Sequence, residues 1–176
     1  KTLDVSGWNT GSLTDARGLF YHCTGLKTLD VSGWNTGKVT SFENIFAYCT
    51  SLTELDVSGW NTGKATSMSC MFDQDGKLTV LDVSRWDTSN VQDMHGMFRN
   101  TGIATLDVSQ WNVSHVGNAA GMFHDCVNLV TLDTSRWRLD SAWGAWDMFY
   151  NCVSLTGLDV THWGMGHVGN MTDMFY

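Results

Sequence analysis

Apolar and polar residues alternate over short stretches that recur along the whole chain. In residues 29–32, leucine and valine alternate with aspartate and serine, which is the period-two pattern of a half-buried β-strand. The turn-forming residues Asn-Thr-Gly follow at 35–37. Apolar residues within 39–46 then fall on one helical stripe. Each unit is therefore predicted to contain a strand, a turn, and a short helix or 3₁₀ turns.

The unit occurs seven times, as the positions of its tryptophan show. These residues are Trp8, Trp34, Trp60, Trp86, Trp111, Trp137 and Trp163. Their spacing is 26 residues, except for one step of 25 between Trp86 and Trp111. A fixed period of this size indicates one supersecondary unit stacked on copies of itself. We number the repeats by their tryptophans, and we call equivalent positions of successive repeats a column.

These features predict a single array over residues 1–176 with the fold of a repeat solenoid. We expect a parallel β-sheet on one face and short helices or 3₁₀ turns on the other. Neither end carries the polar cap that usually closes a solenoid. The sequence therefore predicts that this array is a segment of a longer repeat protein.

The repeat resembles a leucine-rich repeat, because Leu-x-x-Leu-x-Val occurs at 26–31 and again at 52–57. It is more closely similar to the repeats of BspA-type bacterial surface proteins. Their hallmark is Leu-Asp-Val-Ser-x-Trp-Asp/Asn-Thr followed by Val-x-x-Met-x-x-Met-Phe-x-x-Cys. Residues 82–98 match this pattern, although Thr101 stands at the position of the cysteine. The resemblance covers the whole chain and implies a secreted or cell-surface bacterial protein that is associated with adhesion.

The composition argues against a nucleic-acid partner, and the sequence indicates no membrane span. Ten Lys and Arg residues against eighteen Asp and Glu residues give a net charge of −8. The basic residues are scattered, whereas phosphate binding needs clustered Lys and Arg. No apolar run approaches the length of a membrane span. The chain contains no proline, as expected where nearly every segment is hydrogen-bonded to a neighbouring repeat.

One column is acidic throughout. Its members are Asp4, Asp30, Asp56, Asp82, Asp107, Asp133 and Asp159. One interpretation is an acidic stripe on the exposed sheet face that binds a cation or a basic partner. The other is that each carboxylate accepts hydrogen bonds from neighbouring backbone, Ser and Thr. A residue present in every repeat more often serves the repeat itself.

Four cysteines share another column, namely Cys23, Cys49, Cys126 and Cys152. They form two pairs in adjacent repeats, so the disulfides Cys23–Cys49 and Cys126–Cys152 are geometrically conceivable. The alternative is buried free thiols that pack like small hydrophobic groups. The odd total of five cysteines, without metal-type spacing, argues against a zinc site.

The other columns give no indication of catalysis. The tryptophan column is most simply a stacked aromatic ladder, with a sugar-binding platform as the alternative. The methionine-rich stripe indicates core packing. The six histidines are not arranged with Ser, Cys or Asp as in a nucleophilic site. We therefore expect a protein that is not an enzyme and has no cofactor or metal.

The sixth repeat departs most from the others. Alanine replaces the usual valine and methionine, and an extra tryptophan follows each alanine, at Trp143 and Trp146. If the segment keeps its usual phase, both indoles face solvent beside Arg136 and Arg138, and Trp and Arg are typical of binding hot spots. The alternative is a rotation by about one residue, so that the indoles fill the space left by the alanines. A second irregularity is the missing residue near 100–102.

These observations together predict a non-enzymatic binding or adhesion module. We expect it to recognise a protein or glycan, such as host matrix, through an extended rigid surface with a few aromatic anchors. The alternative is a structural spacer or filament subunit. Uncapped terminal repeats would then associate end to end through exposed strand edges and core.

Overall fold

The computed structural model describes residues 2–176, and most of that range is neither helix nor extended strand. Strand β1 (Thr2–Leu3) pairs in parallel with strand β2 (Thr28–Leu29), with Thr2 opposite Thr28. The regular helix of the described residues is a 3₁₀ helix at Met165–His167. In this part of the chain no helix is long and apolar enough to cross a membrane. Turns and single bridges make up the rest.

Parallel bridges join equivalent positions of successive repeats in two ladders. The first continues the β1–β2 pairing, with bridges Glu54–Val80, Thr105–Thr131 and Thr131–Gly157. The second runs through Asp15, Ser41, Ser67, Asp93, Asn118, Gly144 and Asn170. Most bridged partners are 26 residues apart, and Asp93 and Asn118 are 25 apart. Each repeat is thus in register with its neighbours.

The segment predicted as a short helix is a run of tight turns. In the second repeat, the N–H groups of Phe42 and Phe46 donate to carbonyl oxygens of the third repeat, at 3.0 and 3.1 Å. The intervening N–H of Ile45 donates within the segment, to the carbonyl oxygen of Phe42 at 3.1 Å. An α-helix would use both sets of amides internally. Within residues 2–176 and outside Met165–His167, the helical alternative is therefore wrong. The bond from Ile45 to Phe42 joins residues three apart, as in the 3₁₀ turns that are the other alternative, and the apolar residues do face inward.

Left-handed backbone explains why this segment is not a helix. In each repeat it contains residues with positive φ, usually two that are four positions apart. They are Gly18, His22, Asn44, Tyr48, Cys70, Gln74, Gly96, Asn100, Gly121, Asp125, Asp147, Asn151 and Asp173. Positive φ interrupts a right-handed helix, and Gly, Asn and Asp, which hold most of these positions, tolerate it best.

Two aromatic columns run side by side through the core. The phenylalanine column contains Phe20, Phe46, Phe72, Phe98, Phe123, Phe149 and Phe175, with centroids 5.3–5.8 Å apart. In the tryptophan column, four stacked pairs have centroids 5.9–6.4 Å apart, and the tilted pair Trp137–Trp163 has centroids 6.0 Å apart. Trp8 is 49% exposed, whereas the later members of this column are buried. Stacked rings at these separations stabilise the contact between successive repeats.

The indole N–H groups add hydrogen bonds between repeats. Nε1 of Trp60 donates to the carbonyl oxygen of Val31 at 3.1 Å, and Nε1 of Trp86 donates to that of Val57 at 3.1 Å. The same bond recurs at Trp111, Trp137 and Trp163, at 3.1–3.4 Å. The indoles of the third to seventh repeats therefore each bond to the preceding repeat, and the buried rings leave no open indole face for a sugar.

Asp75 places a carboxyl group in the core, in the column that elsewhere holds cysteine. It is 0% exposed, and within residues 2–176 neither of its oxygens has a hydrogen-bond partner. Burial raises its pKa to about 8, although the backbone N–H of Cys49 lies close enough to offset part of this shift. The folded protein therefore favours the neutral acid, whereas the unfolded chain ionises near pH 4.

We predict that Asp75 makes the stability of the protein fall with rising pH. Because its pKa is higher in the folded state, its contribution is fully present below about pH 4 and is lost by about pH 8. Asp75→Thr should raise the free energy of unfolding at pH 9 by roughly 4 kcal/mol relative to its effect at pH 5. Thr101 already occupies the same column and donates its hydroxyl to the carbonyl oxygen of Phe98 at 2.9 Å.

Urea denaturation at pH 5 and pH 9 measures this difference. Asp173→Asn is the matched control, because Asp173 is exposed and asparagine also tolerates its positive φ. The control should show the same pH dependence as the parent protein. An unchanged pH dependence in Asp75→Thr would contradict the assignment.

Gly102 lies where one repeat is a residue shorter than the others. A Cβ atom at this position would lie 2.5 Å from the carbonyl oxygen of Gly76 and 3.2 Å from that of Leu78. Both oxygens belong to the backbone, so they cannot rotate away as a side chain would. The shorter repeat thus fits because glycine allows the close approach of two chains.

We expect Gly102→Ala to destabilise the protein by about 1–3 kcal/mol, since the backbone must shift to admit the methyl group. Gly33→Ala is the matched control, because a Cβ atom there meets nothing within 4 Å. The urea midpoint of each variant gives the comparison. Equal midpoints for the two variants would contradict this prediction, because the close approach at Gly102 would then not exclude a methyl group.

Candidate binding site

The aspartate column lies on the exposed surface, where each carboxylate closes a turn. Oδ1 of Asp30 accepts hydrogen bonds from the backbone N–H and the hydroxyl of Ser32, at 3.1 and 2.7 Å. The same two bonds recur at Asp4, Asp56, Asp82, Asp107, Asp133 and Asp159. Side-chain and then backbone bonds from the serine lower the pKa of Asp30, Asp82 and Asp133. These carboxylates therefore stay ionised at neutral pH.

Two shallow grooves follow the face that carries the aspartates. One, of about 680 Å³, extends over the first four repeats and is lined by Leu3, Leu29, Leu55 and Val80 with the aspartates of the same repeats. The other, of about 440 Å³, extends over the last three repeats and includes Leu106 and Leu132. Their combination of apolar side chains and carboxylates is complementary in charge to a basic partner.

The five cysteines are free thiols. The Sγ atoms of Cys49, Cys126 and Cys152 donate to phenylalanine carbonyl oxygens of the preceding repeat, at 3.0–3.2 Å. Burial raises their pKa values to about 12, 11 and 12 respectively, which makes them poor nucleophiles. The disulfides Cys23–Cys49 and Cys126–Cys152 are not formed, because these thiols are directed at backbone carbonyls.

The sixth repeat keeps the phase of the others. Ala142 and Ala145 are 0% exposed and occupy core columns that hold apolar residues in the other repeats, including alanine at Ala65 and Ala119. The alternative in which the segment rotates is therefore wrong. Trp143 is 56% exposed and Trp146 is half-buried. Their ring centroids lie 5.7 Å apart at an interplanar angle of 43°, so the two indoles form one aromatic feature on the surface.

The two arginines of this repeat make their contacts elsewhere. Nη1 of Arg136 donates to Oε1 of Gln110 at 3.0 Å. Nη2 of Arg138 lies 3.5 Å from Oδ1 of Asp140. Over residues 2–176, neither guanidinium group makes a ring contact with the indoles. The structure therefore does not join the arginines and tryptophans into the single cluster that the sequence predicted.

Trp143 instead borders a cleft of about 380 Å³ that crosses the fourth, fifth and sixth repeats. Its other lining residues are Asn90, Gln92, His115, Gly117 and Ser141. They come from two outward-facing columns on either side of a buried valine and alanine column. Sequence analysis missed these residues, because they become neighbours only when three repeats stack. The sequence carries one signal, which is a change of residue type within a column. This column holds Lys38 and Lys64 in the second and third repeats, and Asn90, His115 and Ser141 in the next three.

The part of the chain that the structure describes contains no candidate metal-binding site. No three of its His, Cys, Asp and Glu residues come together in a group that could hold a metal ion. The chemistry offered by the surface is therefore that of aromatic packing, neutral hydrogen bonding at the Trp143 cleft, and charge along the aspartate face.

A family model described as "Mycoplasma protein of unknown function, DUF285" matches residues 1–80 and 74–176. No curated protein and no solved structure matches the chain. The two matched ranges overlap at 74–80 and together extend over the whole sequence. The chain therefore belongs to the DUF285 family of Mycoplasma proteins, which are bacterial proteins.

Proposed function

We propose that the chain is a leucine-rich-repeat-like solenoid of the BspA type and a non-enzymatic binding module of a bacterial surface protein. Register over seven repeats supports the architecture, because bridges and aromatic columns join equivalent positions and the indole hydrogen bonds recur between the same pair of positions in successive repeats. The resemblance of residues 82–98 to BspA-type repeats supports the assignment to secreted or cell-surface proteins. Membership of a Mycoplasma family is consistent with a bacterial surface protein.

The observation that carries the binding role is the exposed indole of Trp143. At positions 142 and 145 the sixth repeat gives the core only alanines, while the adjacent tryptophans are exposed (Trp143) and half-buried (Trp146). An indole that is 56% exposed contributes little to the core. Large exposed aromatic groups commonly mark sites where a partner covers them.

The scaffold suits a surface that binds through many modest contacts. Backbone hydrogen bonds connect each repeat to the next and so restrain the backbone that carries the outward side chains. A rigid base lowers the ordering cost that association imposes on a binding surface. The partner in this proposal is a protein or glycan, such as a component of the host matrix, with the tryptophan pair as anchor.

We expect microbeads coated with the chain to be retained on an extracellular-matrix layer under flow. Retention should exceed that of albumin-coated beads. The double variant Trp143→Ala/Trp146→Ala should reduce it by at least about tenfold, which corresponds to the loss of one or two hot-spot side chains. The measurement is the fraction of beads that remain at a fixed shear stress.

Val153→Ala is the control variant, because Val153 is an apolar side chain that is 76% exposed and lies outside the cleft. It should leave retention unchanged. Circular dichroism melts check that all variants are folded. Retention no higher than that of albumin-coated beads would contradict the binding role, and equal retention of the double variant would remove the tryptophan pair from it.

A further inference from the structure

We propose that the cleft beside Trp143 binds a neutral saccharide. This inference rests on the proposed binding function and specifies the ligand class of one site. The cleft combines an exposed indole with the uncharged side chains of Asn90, Gln92 and Ser141 and with the imidazole of His115. No Lys, Arg, Asp or Glu is among its lining residues. One apolar plate and several neutral donors and acceptors match a ring that is apolar on its C–H face and carries hydroxyl groups at its edge.

The backbone of Trp143 is bonded to two glycines of its own column. The backbone N–H of Trp143 donates to the carbonyl oxygen of Gly117 at 2.9 Å, and the backbone N–H of Gly169 donates to the carbonyl oxygen of Trp143 at 3.1 Å. A Cβ atom on Gly117 would lie 2.9 Å from Nε1 of the indole, so the ring packs closely against that glycine. Gly169 offers no side chain to cover the ring from the other side. The C–H groups of a pyranose can pack on such a face, because the π-system is negative there.

Neighbouring contacts hold the indole in place. Trp146 is half-buried and its ring centroid lies 5.7 Å from that of Trp143. The ring of Trp146 packs over Gly144, where a Cβ atom would overlap it. A ring supported in this way loses little additional freedom when a ligand stacks on it.

The polar groups of the cleft are oriented before any ligand arrives. Nδ2 of Asn90 donates to the carbonyl oxygen of Gly63 at 2.8 Å, so its Oδ1 remains as an acceptor. Nδ1 of His115 lies 2.9 Å from the carbonyl oxygen of Ser89 and must donate to it, which makes Nε2 the acceptor in the neutral ring. The side chains of Gln92 and Ser141 can both donate and accept. This inventory fits hydroxyl groups, since each of them donates and accepts.

The absence of lysine and arginine from the lining of the cleft favours a neutral saccharide over an anionic one. In the second and third repeats, the column that supplies Asn90 holds Lys38 and Lys64 instead. The lysines stop where the cleft begins, and the whole chain carries a net charge of −8. The lining residues extend over two repeat steps, or roughly 10 Å, which is sufficient for a short oligosaccharide.

The test titrates the purified chain with neutral oligosaccharides: cellotetraose, maltotetraose, mannotetraose and chitotriose. Saturation-transfer NMR detects contact with each sugar, and tryptophan fluorescence gives the affinity. We expect millimolar or tighter binding of at least one sugar. Trp143→Ala should weaken it by at least about tenfold, and Asn90→Lys should weaken it several-fold. The lysine should be compatible with the fold, because two earlier repeats carry it at the same position.

Trp8→Ala is the matched control, because Trp8 is an exposed tryptophan outside the cleft, at 49% exposure. It should leave sugar binding unchanged. The saccharide assignment is overturned if none of the four sugars binds at millimolar concentration, or if Trp143→Ala binds as tightly as the parent protein. Bead retention that depends on Trp143 without sugar binding would retain the proposed function and indicate a protein partner. If the parent protein showed neither sugar binding nor bead retention above albumin, both proposals would be overturned.

Discussion

The hydrogen bonds between the backbones of successive repeats are the constraint on which the rest of the structure depends. Between residues 42 and 48, alternate amides donate to the next repeat and the intervening ones close local turns. This arrangement fixes the register, because a slip by one residue would exchange the two sets of amides. Equivalent side chains therefore lie above one another, and the phenylalanine and tryptophan columns follow directly. The chain contains no proline. This is consistent with a backbone whose N–H groups form these hydrogen bonds, because proline has no N–H to donate.

Short polar side chains accept hydrogen bonds from backbone N–H groups that would otherwise be bonded within a helix. Asp30 binds the N–H of Ser32, and Asn35 binds the N–H of Gly37 at 3.2 Å, so that each closes a turn with its own carboxylate or amide oxygen. The aspartate column consequently has a structural role in every repeat and still presents ionised carboxylates to solvent. A structural role for these aspartates and a negatively charged surface are therefore compatible.

The sequence predicts the period, the columns and the inward-facing residues, since apolar side chains recur wherever a core column passes. It does not predict the tight turns, because the apolar spacing within 39–46 is the same for a helix stripe and for this run of turns. Asn44 and Tyr48, with φ values of 56° and 63°, determine the outcome, and they are polar positions that a search for apolar periodicity ignores. Trp143 could be identified as unusual from the sequence alone. Its cleft partners could not, because their proximity depends on which outward columns flank a buried one.

The cleft also shows how a repeat protein can acquire a site without disturbing its fold. Side chains at outward positions such as Asn90 and Ser141 are exposed and vary between repeats, whereas the buried columns remain mostly apolar. In the sixth repeat two of these columns hold Ala142 and Ala145, which fill less of the core than the valine and methionine of the fourth repeat do. Smaller core residues usually lower stability, and backbone bonds to both neighbouring repeats compensate by holding the segment in phase. A local loss of packing is thus tolerated at the repeat that carries the exposed aromatic pair, as expected where function and stability compete for the same residues.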